Sequence, residues 1–322
     1  MSRIYEALQK AETERKREQG EGLRDHDPFA PSHLPVNGDA HVPASVGGTE
    51  YSVPPETPFE VMNAVPASPI AVETVPSPGP GLEQIARRPW SPSLVQLPAL
   101  LQRGPAVEQF RSLRSRIYEL RDIKPLKSIL ITSGMPQEGK SFISINLAMS
   151  LARHKNARVL LIDGDMRRFT LHQILGCESQ PGLAEYLGGK ASMMEVMQRA
   201  ESVPSGHVTL PNLTFIAGGN GGDKAADLSG SARFGELLRT VSPYFDWIVI
   251  DSSPVLPVSD AVNLGRSCDG VLLVARAGIT KFPVAQRAQS ELKASNVLGF
   301  VLNAVQEAPQ VGDYYGYDAS QD

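Results

Sequence analysis

The chain has 322 residues, 41% hydrophobic and 20% charged, with a net charge of -4 and 26 prolines. That length would accommodate two domains of average size, but the prolines are bunched, so only part of the chain is expected to pack. There is no basic block, so charge gives no reason to expect nucleic acid or an anionic membrane as partner; two distant cysteines, Cys177 and Cys268, form neither a disulfide framework nor a metal-ligand spacing and read as buried thiols in a reducing compartment.

The opening Met1-Ser2-Arg3-Ile4-Tyr5-Glu6 lacks the apolar core of a signal peptide, and no run approaches the ~20 apolar residues that span a bilayer. A soluble, cytoplasmic protein is expected. Residues 1–19 form a first segment, in which 2–18 read as one short helix. Ile4, Leu8 and Ala11 follow helical spacing, and Glu6 with Lys10 and Glu12 with Lys16 are favourable pairs four apart. Nothing local packs on it, which leaves two readings, a fraying helix or a docking peptide that folds on a partner.

Residues 20–104 read as a disordered, proline-rich linker. Sixteen of the prolines fall between Pro28 and Pro105, with clusters such as Val75-Pro76-Ser77-Pro78-Gly79-Pro80 and no sustained apolar period. After Gly104-Pro105 the pattern becomes helical to near Asp122, with Val107, Phe110, Leu113, Ile117 and Leu120 on one stripe. Short apolar runs then alternate with helices. The runs are 128–132, 159–162, 213–217, 247–250, 271–275 and 297–302; the helices fall near 140–153, 232–241, 259–265 and 283–294. Strands apolar on both faces and separated by helices predict a doubly wound, mostly parallel α/β domain over 105–308, with its ligands at the carboxyl ends of the strands. Gly218-Gly219-Asn220-Gly221-Gly222 reads as a flexible loop. Residues 309–322 form a tail.

Gly134-Met135-Pro136-Gln137-Glu138-Gly139-Lys140-Ser141 matches G-x-x-x-x-G-K-[ST], between a strand and a helix. Its glycines let successive backbone N–H groups and the helix start point at phosphate oxygens. Lys140 would reach the terminal phosphates and the Ser141 hydroxyl would ligate magnesium, so a nucleoside triphosphate with Mg2+ is the expected ligand. Asp163 and Asp165, with Arg167 and Arg168, follow the next strand, and Asp251 follows the strand 247–250. Together with the loop these acids form one constellation at the sheet edge where phosphates would lie, suited to a magnesium shell and to proton transfer. Asp260 and Asn303 read either as further nucleotide contacts or as a helix-start carboxylate and a strand-end cap. Three of the eight tyrosines, Tyr314, Tyr315 and Tyr317, crowd into the tail, where exposed phenols read either as a substrate or as part of a tail that packs or does nothing.

On these motifs the chain resembles, over residues 105–317, the bacterial tyrosine kinases that control capsule and exopolysaccharide synthesis. The matching features are the Walker A loop with its internal Pro and Glu, the Asp-x-Asp-x-Arg segment Asp163, Asp165 and Arg167, a Walker B Asp251, and the tyrosine tail. Glu108-x-x-Arg111-x-x-Arg114 is similar to the family's subunit-contact motif, its three side chains on one helix face. The opening residues 1–11 look like those of cytoplasmic members that accompany exopolysaccharide systems.

The resemblance implies a P-loop NTPase fold of the MinD/ParA-like kind and an ATP-dependent tyrosine autokinase with ATP and Mg2+ as ligands. Lys140, Asp163, Asp165 and Asp251 would be catalytic, with Asp163 as proton acceptor. Gly134, Gln137, Glu138, Gly139, Lys140, Ser141, Phe142 and Asn303 would bind nucleotide, and Ser141, Asp163 and Asp251 the metal. Tyr314, Tyr315 and Tyr317 would accept phosphate between subunits of a homo-oligomeric ring, an octamer among its expected sizes, that uses Glu108, Arg111 and Arg114 as contacts. A membrane co-polymerase acting as activator and a tyrosine phosphatase would be its partners, with no nucleic acid, and the first would recruit the chain to the inner face of the membrane. Departures from the family pattern are Ser252-Ser253-Pro254 after Asp251, a short tyrosine cluster, and the glycine run at 218–222. They bear on the extent of autophosphorylation more than on nucleotide binding. A partitioning ATPase of the MinD/ParA type is the rival reading, but such proteins carry a lysine early in the loop, where Met135 stands here. A non-catalytic, ATP-binding regulator of an export complex is the third.

Overall fold

The structure is a computed structural model that describes residues 82–154, 157–201 and 212–305. The expected N-terminal helix, the linker up to residue 81 and the tyrosine tail lie outside the described residues. In chain order the first elements are β1 (Ala86–Arg88), α1 (Pro105–Ile123), β2 (Ser128–Ser133), α2 (Lys140–Ala152) and β3 (Val159–Asp163). Three short helices follow, α3 (Leu171–Leu175), α4 (Leu183–Leu187) and α5 (Met193–Val196), then β4 (Met197–Ala200) and β5 (Leu213–Ile216). The rest is α6 (Ala225–Ser229), α7 (Ala232–Val241), β6 (Trp247–Asp251), α8 (Asp260–Gly265), β7 (Gly270–Arg276), α9 (Phe282–Glu291) and β8 (Val297–Asn303).

Among the described residues the strands make one sheet in the order β1-β4-β5-β3-β6-β2-β7-β8, parallel except where β4 runs against β5. This is the expected doubly wound, mostly parallel α/β architecture, and every strand and helix expected between residues 105 and 302 lies within three residues of its expected ends. The alternation of the central strands explains it. Ile129, Ile131, Val159, Leu161, Trp247 and Val249 point into the core beneath α1 and α2, while Leu130, Leu160, Ile162, Ile248 and Ile250 point into the opposite one. With both faces covered, these strands carry no charge before their carboxyl ends, and that is where the acids stand. Among the described residues no helix is long and apolar enough to cross a membrane.

Residues 82–104 are packed on the body that continues from 105, so the reading of this segment as the end of a disordered linker needs correcting. β1 pairs with β4, Ser91 and Ser93 donate their N–H groups to the carbonyls of Gly176 and Ile174, and the Trp90 indole donates to Gln198 at 3.2 Å. Further along, Leu97 is fully buried and Leu100 nearly so. Asn146, in the middle of α2, grips this strap twice: its Oδ1 accepts from Ala99 N at 3.1 Å and its Nδ2 donates to Gln96 O at 2.9 Å. Arg153 donates to the Ala99 and Leu101 carbonyls. The strap is held residue by residue, so it carries neither a helical nor a strand period, and its prolines imitate a linker.

Leu97→Ala is accordingly expected to lower unfolding free energy by about 2–5 kcal/mol, the usual range for a filled leucine site. Urea denaturation of the full chain measures it, and a loss below about 0.5 kcal/mol, the scale of a surface change, would count against a packed strap. Burial pushes the Cys177 thiol up to about 12, and that of Cys268 upward as well, although both are only half-buried. Neither is expected to react with iodoacetamide near neutral pH in the folded protein, because the thiolate is the nucleophile. Labelling with and without denaturant checks this.

Candidate nucleotide and phosphoryl-transfer site

β3, β6 and β2 lie side by side, so their carboxyl ends bring three loops to one place. The loop after β2 is shaped by its own residues and by two distant ones. The Ser133 hydroxyl donates to Met135 O at 2.8 Å, and the Glu138 side chain turns inward to accept from Met135 N at 2.8 Å. Thr280, after β7, donates its hydroxyl to the other Glu138 oxygen, and Asn303, ending β8, donates from Nδ2 to Glu138 O at 2.9 Å. Gln137 and Gly139 adopt positive φ of 65° and 96°. An added Cβ at Gly139 would lie 1.9 Å from Asn303 Nδ2, so the closing residue has no room for a side chain. An added Cβ at Gly134 would sit 3.3 Å from the Ala288 Cβ on α9.

These contacts sort the expected nucleotide residues by role. The backbone of residues 134–142 leads into the start of α2, whose first N–H groups have no helical acceptor and suit phosphate. Glu138 and Asn303 brace the loop. Phe142 turns its ring onto Phe110, 5.8 Å between centroids, leaving its backbone N–H in the first turn.

Asp163 and Asp251 are register partners on β3 and β6, and both are fully buried. Asp163 accepts N–H groups from Asp165 and Leu171, each at 3.2 Å. Asp165, nearly buried, takes the ammonium of Lys140 at 2.9 Å; the same ammonium lies 3.9 Å from Asp251 and donates to Ser141 Oγ at 3.2 Å. Asp251 accepts from the Ser144 hydroxyl at 3.0 Å through Oδ1, while its buried Oδ2 has no hydrogen-bond donor. The electrostatics follow from this crowding. Burial pushes the Asp163 carboxyl well above its ordinary range, and the Asp251 charge adds to the shift. Burial also raises Asp251, against the pull of Lys140 and the Ser141 and Ser144 hydroxyls. Burial opposes the charge on Lys140, but Asp251, Asp165 and Asp163 together outweigh it, and its pKa rises.

Other expected residues go elsewhere. Asp260, fully buried, pairs with Arg167 at 2.7 and 3.3 Å, so this carboxylate orients the arginine of the Asp-x-Asp-x-Arg segment. In the glycine run 218–222, expected to be a flexible loop, Gly218, Gly219 and Gly221 are close-packed. An added Cβ at Gly218 would lie 2.6 Å from Phe169 and one at Gly221 2.8 Å from Met166, because this loop underlies the segment after β3. Glu108 and Arg111 pair at 2.5 Å on the exposed side of α1, while Arg114 reaches back to Ser150 O at 3.0 Å. Tyr314, Tyr315 and Tyr317 lie outside the described residues. Sequence reasoning missed Ser144 and Thr280. Ser144 had a signal, since it is one helical turn past Lys140 and so on the same face; Thr280, 142 positions from the glutamate it meets, had none.

Residues 129–280 match the family described as an AAA domain. A tyrosine-protein kinase of Acinetobacter johnsonii is 34% identical over 63% of this chain, which spans only 27% of that protein's length. The tyrosine-protein kinase YwqD of Bacillus subtilis is 32% identical over 67% of this chain and 87% of its own. Among solved structures, the kinase domain of the Escherichia coli tyrosine kinase ETK is 31% identical, with a TM-score of 0.56 over 63% of this chain and 77% of that one.

Proposed function

The chain belongs to the family of bacterial tyrosine-protein kinases, and we propose that it is an ATP-dependent tyrosine autokinase acting on Tyr314, Tyr315 and Tyr317 between subunits of a ring, in the control of exopolysaccharide or capsule synthesis. What supports this reading is the placing of Lys140 among three buried carboxylates at the mouth of a phosphate-shaped loop. The loop N–H groups and the start of α2 would hold the β- and γ-phosphates of ATP, with Lys140 turned from Asp165 toward the transferred group. A phenol is a weak nucleophile near neutral pH until its proton has an acceptor. Asp163 is that acceptor in this reading, because burial and the Asp251 charge raise its affinity for a proton. The tyrosine oxygen forms the new bond to phosphorus, the bond to the bridging oxygen of ADP breaks, and the phenolic proton ends on the carboxylate.

Magnesium fits the residues present. Asp251 Oδ2 is a buried carboxylate oxygen without a donor, and the Ser141 hydroxyl lies beside it. Among the described residues no group of three or more acids, histidines or cysteines could hold a metal alone, so Ser141 and Asp251 would share the ion with phosphate oxygens and water, as magnesium prefers. Bound there, the ion would neutralise charge on the transferring group. Asp163, with a backbone donor on each oxygen, is less open to it than Asp251.

Glu108, Arg111 and Arg114 are proposed as subunit contacts. The chain would work in the cytoplasm, drawn to the membrane by an activating co-polymerase and reset by a tyrosine phosphatase. Purified protein incubated with Mg-ATP is expected to gain phosphotyrosine on the tail, read by mass spectrometry. ATP hydrolysis with no phosphotyrosine would replace this reading with a nucleotide switch.

A further inference from the structure

A charged cavity lies at the carboxyl end of α2, between α1 and the strap. It is about 250 Å³ and is lined by Ala99, Arg111, Arg114, Ser150, Arg153 and His154, from the strap, α1 and the end of α2. Three guanidinium groups therefore surround one small space, and Glu108 is the acid paired there, to Arg111. Each arginine makes its contacts through Nη1 alone: Arg111 to Glu108, Arg114 to Ser150, Arg153 to the Ala99 and Leu101 carbonyls. A guanidinium has five N–H donors in a planar fork, so much of the donor capacity of all three remains for a ligand. Burial lowers the Arg114 pKa, with Tyr118 and Glu108 acting against the shift and the Arg111 and Arg153 charges acting with it.

We propose that this pocket binds a phosphate monoester, carried on the chain's own tail once its tyrosines are phosphorylated. Several guanidinium forks around one cavity suit a tetrahedral dianion, which accepts through three oxygens. The tail supplies matching charge. Residues 306–322 hold Glu307, Asp313, Asp318 and Asp322 and no lysine or arginine. Each phosphotyrosine adds about -1.5 to -2 more. Stretched at ~3.3 Å per residue, that segment could extend ~55 Å.

The inference rests on the proposed autokinase reading and extends it to regulation. Arg111 and Arg114 are also the proposed subunit contacts, so a phosphotyrosine seated on them would displace the neighbour's surface.

A fluorescently labelled synthetic peptide of residues 309–322, with and without phosphate on its three tyrosines, tests this by anisotropy. It is titrated with the full chain carrying Lys140→Ala, which keeps the protein itself unphosphorylated and takes the loop lysine out of the competition. The phosphopeptide is expected to bind at least ten-fold tighter than the unmodified peptide, and Arg111→Gln in the same background to weaken it at least ten-fold. Arg111 is half-exposed with its side-chain contact to Glu108, so the substitution should not disturb folding, and an unchanged circular dichroism spectrum verifies this. Equal binding of the two peptides, or no loss with Arg111→Gln, would overturn the proposal. Displacement by inorganic phosphate at concentrations equal to the peptide would overturn it too, as a site for free phosphate only. Because the peptide's phosphates are synthetic, the outcome does not depend on whether the chain is a kinase.

Discussion

Lys140→Ala is expected to abolish phosphotyrosine formation, with a fall in rate of at least ~10²–10³-fold, the usual cost of removing a group aimed at transition-state charge. The lysine does two things in the structure. It starts α2 at the loop that would hold phosphate, and it is the cation 2.9 Å from Asp165 and 3.9 Å from Asp251. Its loss would therefore also show without any nucleotide. Asp163 and Asp251 already lie above their ordinary 3.8 because of burial, and Lys140 is the largest influence holding Asp251 down. An acid raised by folding contributes stability that is complete below the unfolded value and lost as pH rises through the folded one. Without Lys140 the folded value rises further, so the loss should extend to higher pH. Urea midpoints between about pH 4 and about pH 9 should fall more steeply for the variant than for the unaltered chain. Parallel curves would mean that Asp163 and Asp251 do not sense the lysine.

The second large effect is expected at Gly139. With φ at 96°, any side chain there is strained, by about 1–3 kcal/mol. An alanine Cβ would also occupy space 1.9 Å from Asn303 Nδ2 and break its bond to Glu138 O, another ~1 kcal/mol. Together these predict that Gly139→Ala weakens ATP binding by about 30- to 700-fold, at 1.4 kcal/mol per decade. Isothermal titration with Mg-ATP measures it. Asn303→Ala removes the same bond, so adding it to Gly139→Ala should cost less than it does alone, and a double-mutant cycle separates the shared bond from the backbone strain. Full additivity of the two changes would show that the alanine does not disturb the amide.

The sequence announced the site more completely than it announced the body. Asp163 and Asp251 were legible because each ends an apolar run, and a two-sided buried strand tolerates a charge only where it exits the sheet. The loop was legible because Gly139 and Lys140 sit in a fixed spacing between strand and helix. The strap at 82–104 was hidden because its order comes from partners far along the chain, Asn146, Gly176 and Gln198, and leaves no period of its own. The same distance hid the inward turn of Glu138 onto Thr280 and the pairing of Arg167 with Asp260. The glycines at 218–222 were misread for the opposite reason: small residues marked close approach by Phe169 and Met166, not freedom.

The pairing of β3 with β6 has one more consequence. Asp163 stands opposite Asp251 because Val159 stands opposite Trp247, four rungs earlier in the same ladder. The separation of the two acids is thus set by inter-strand spacing, ~4.8 Å between neighbouring strands, and not by side-chain choice. Inserting or deleting one residue in β6 would slide Asp251 off that rung and turn its neighbours to the opposite face, dismantling the acid pair without altering any residue of the phosphate loop.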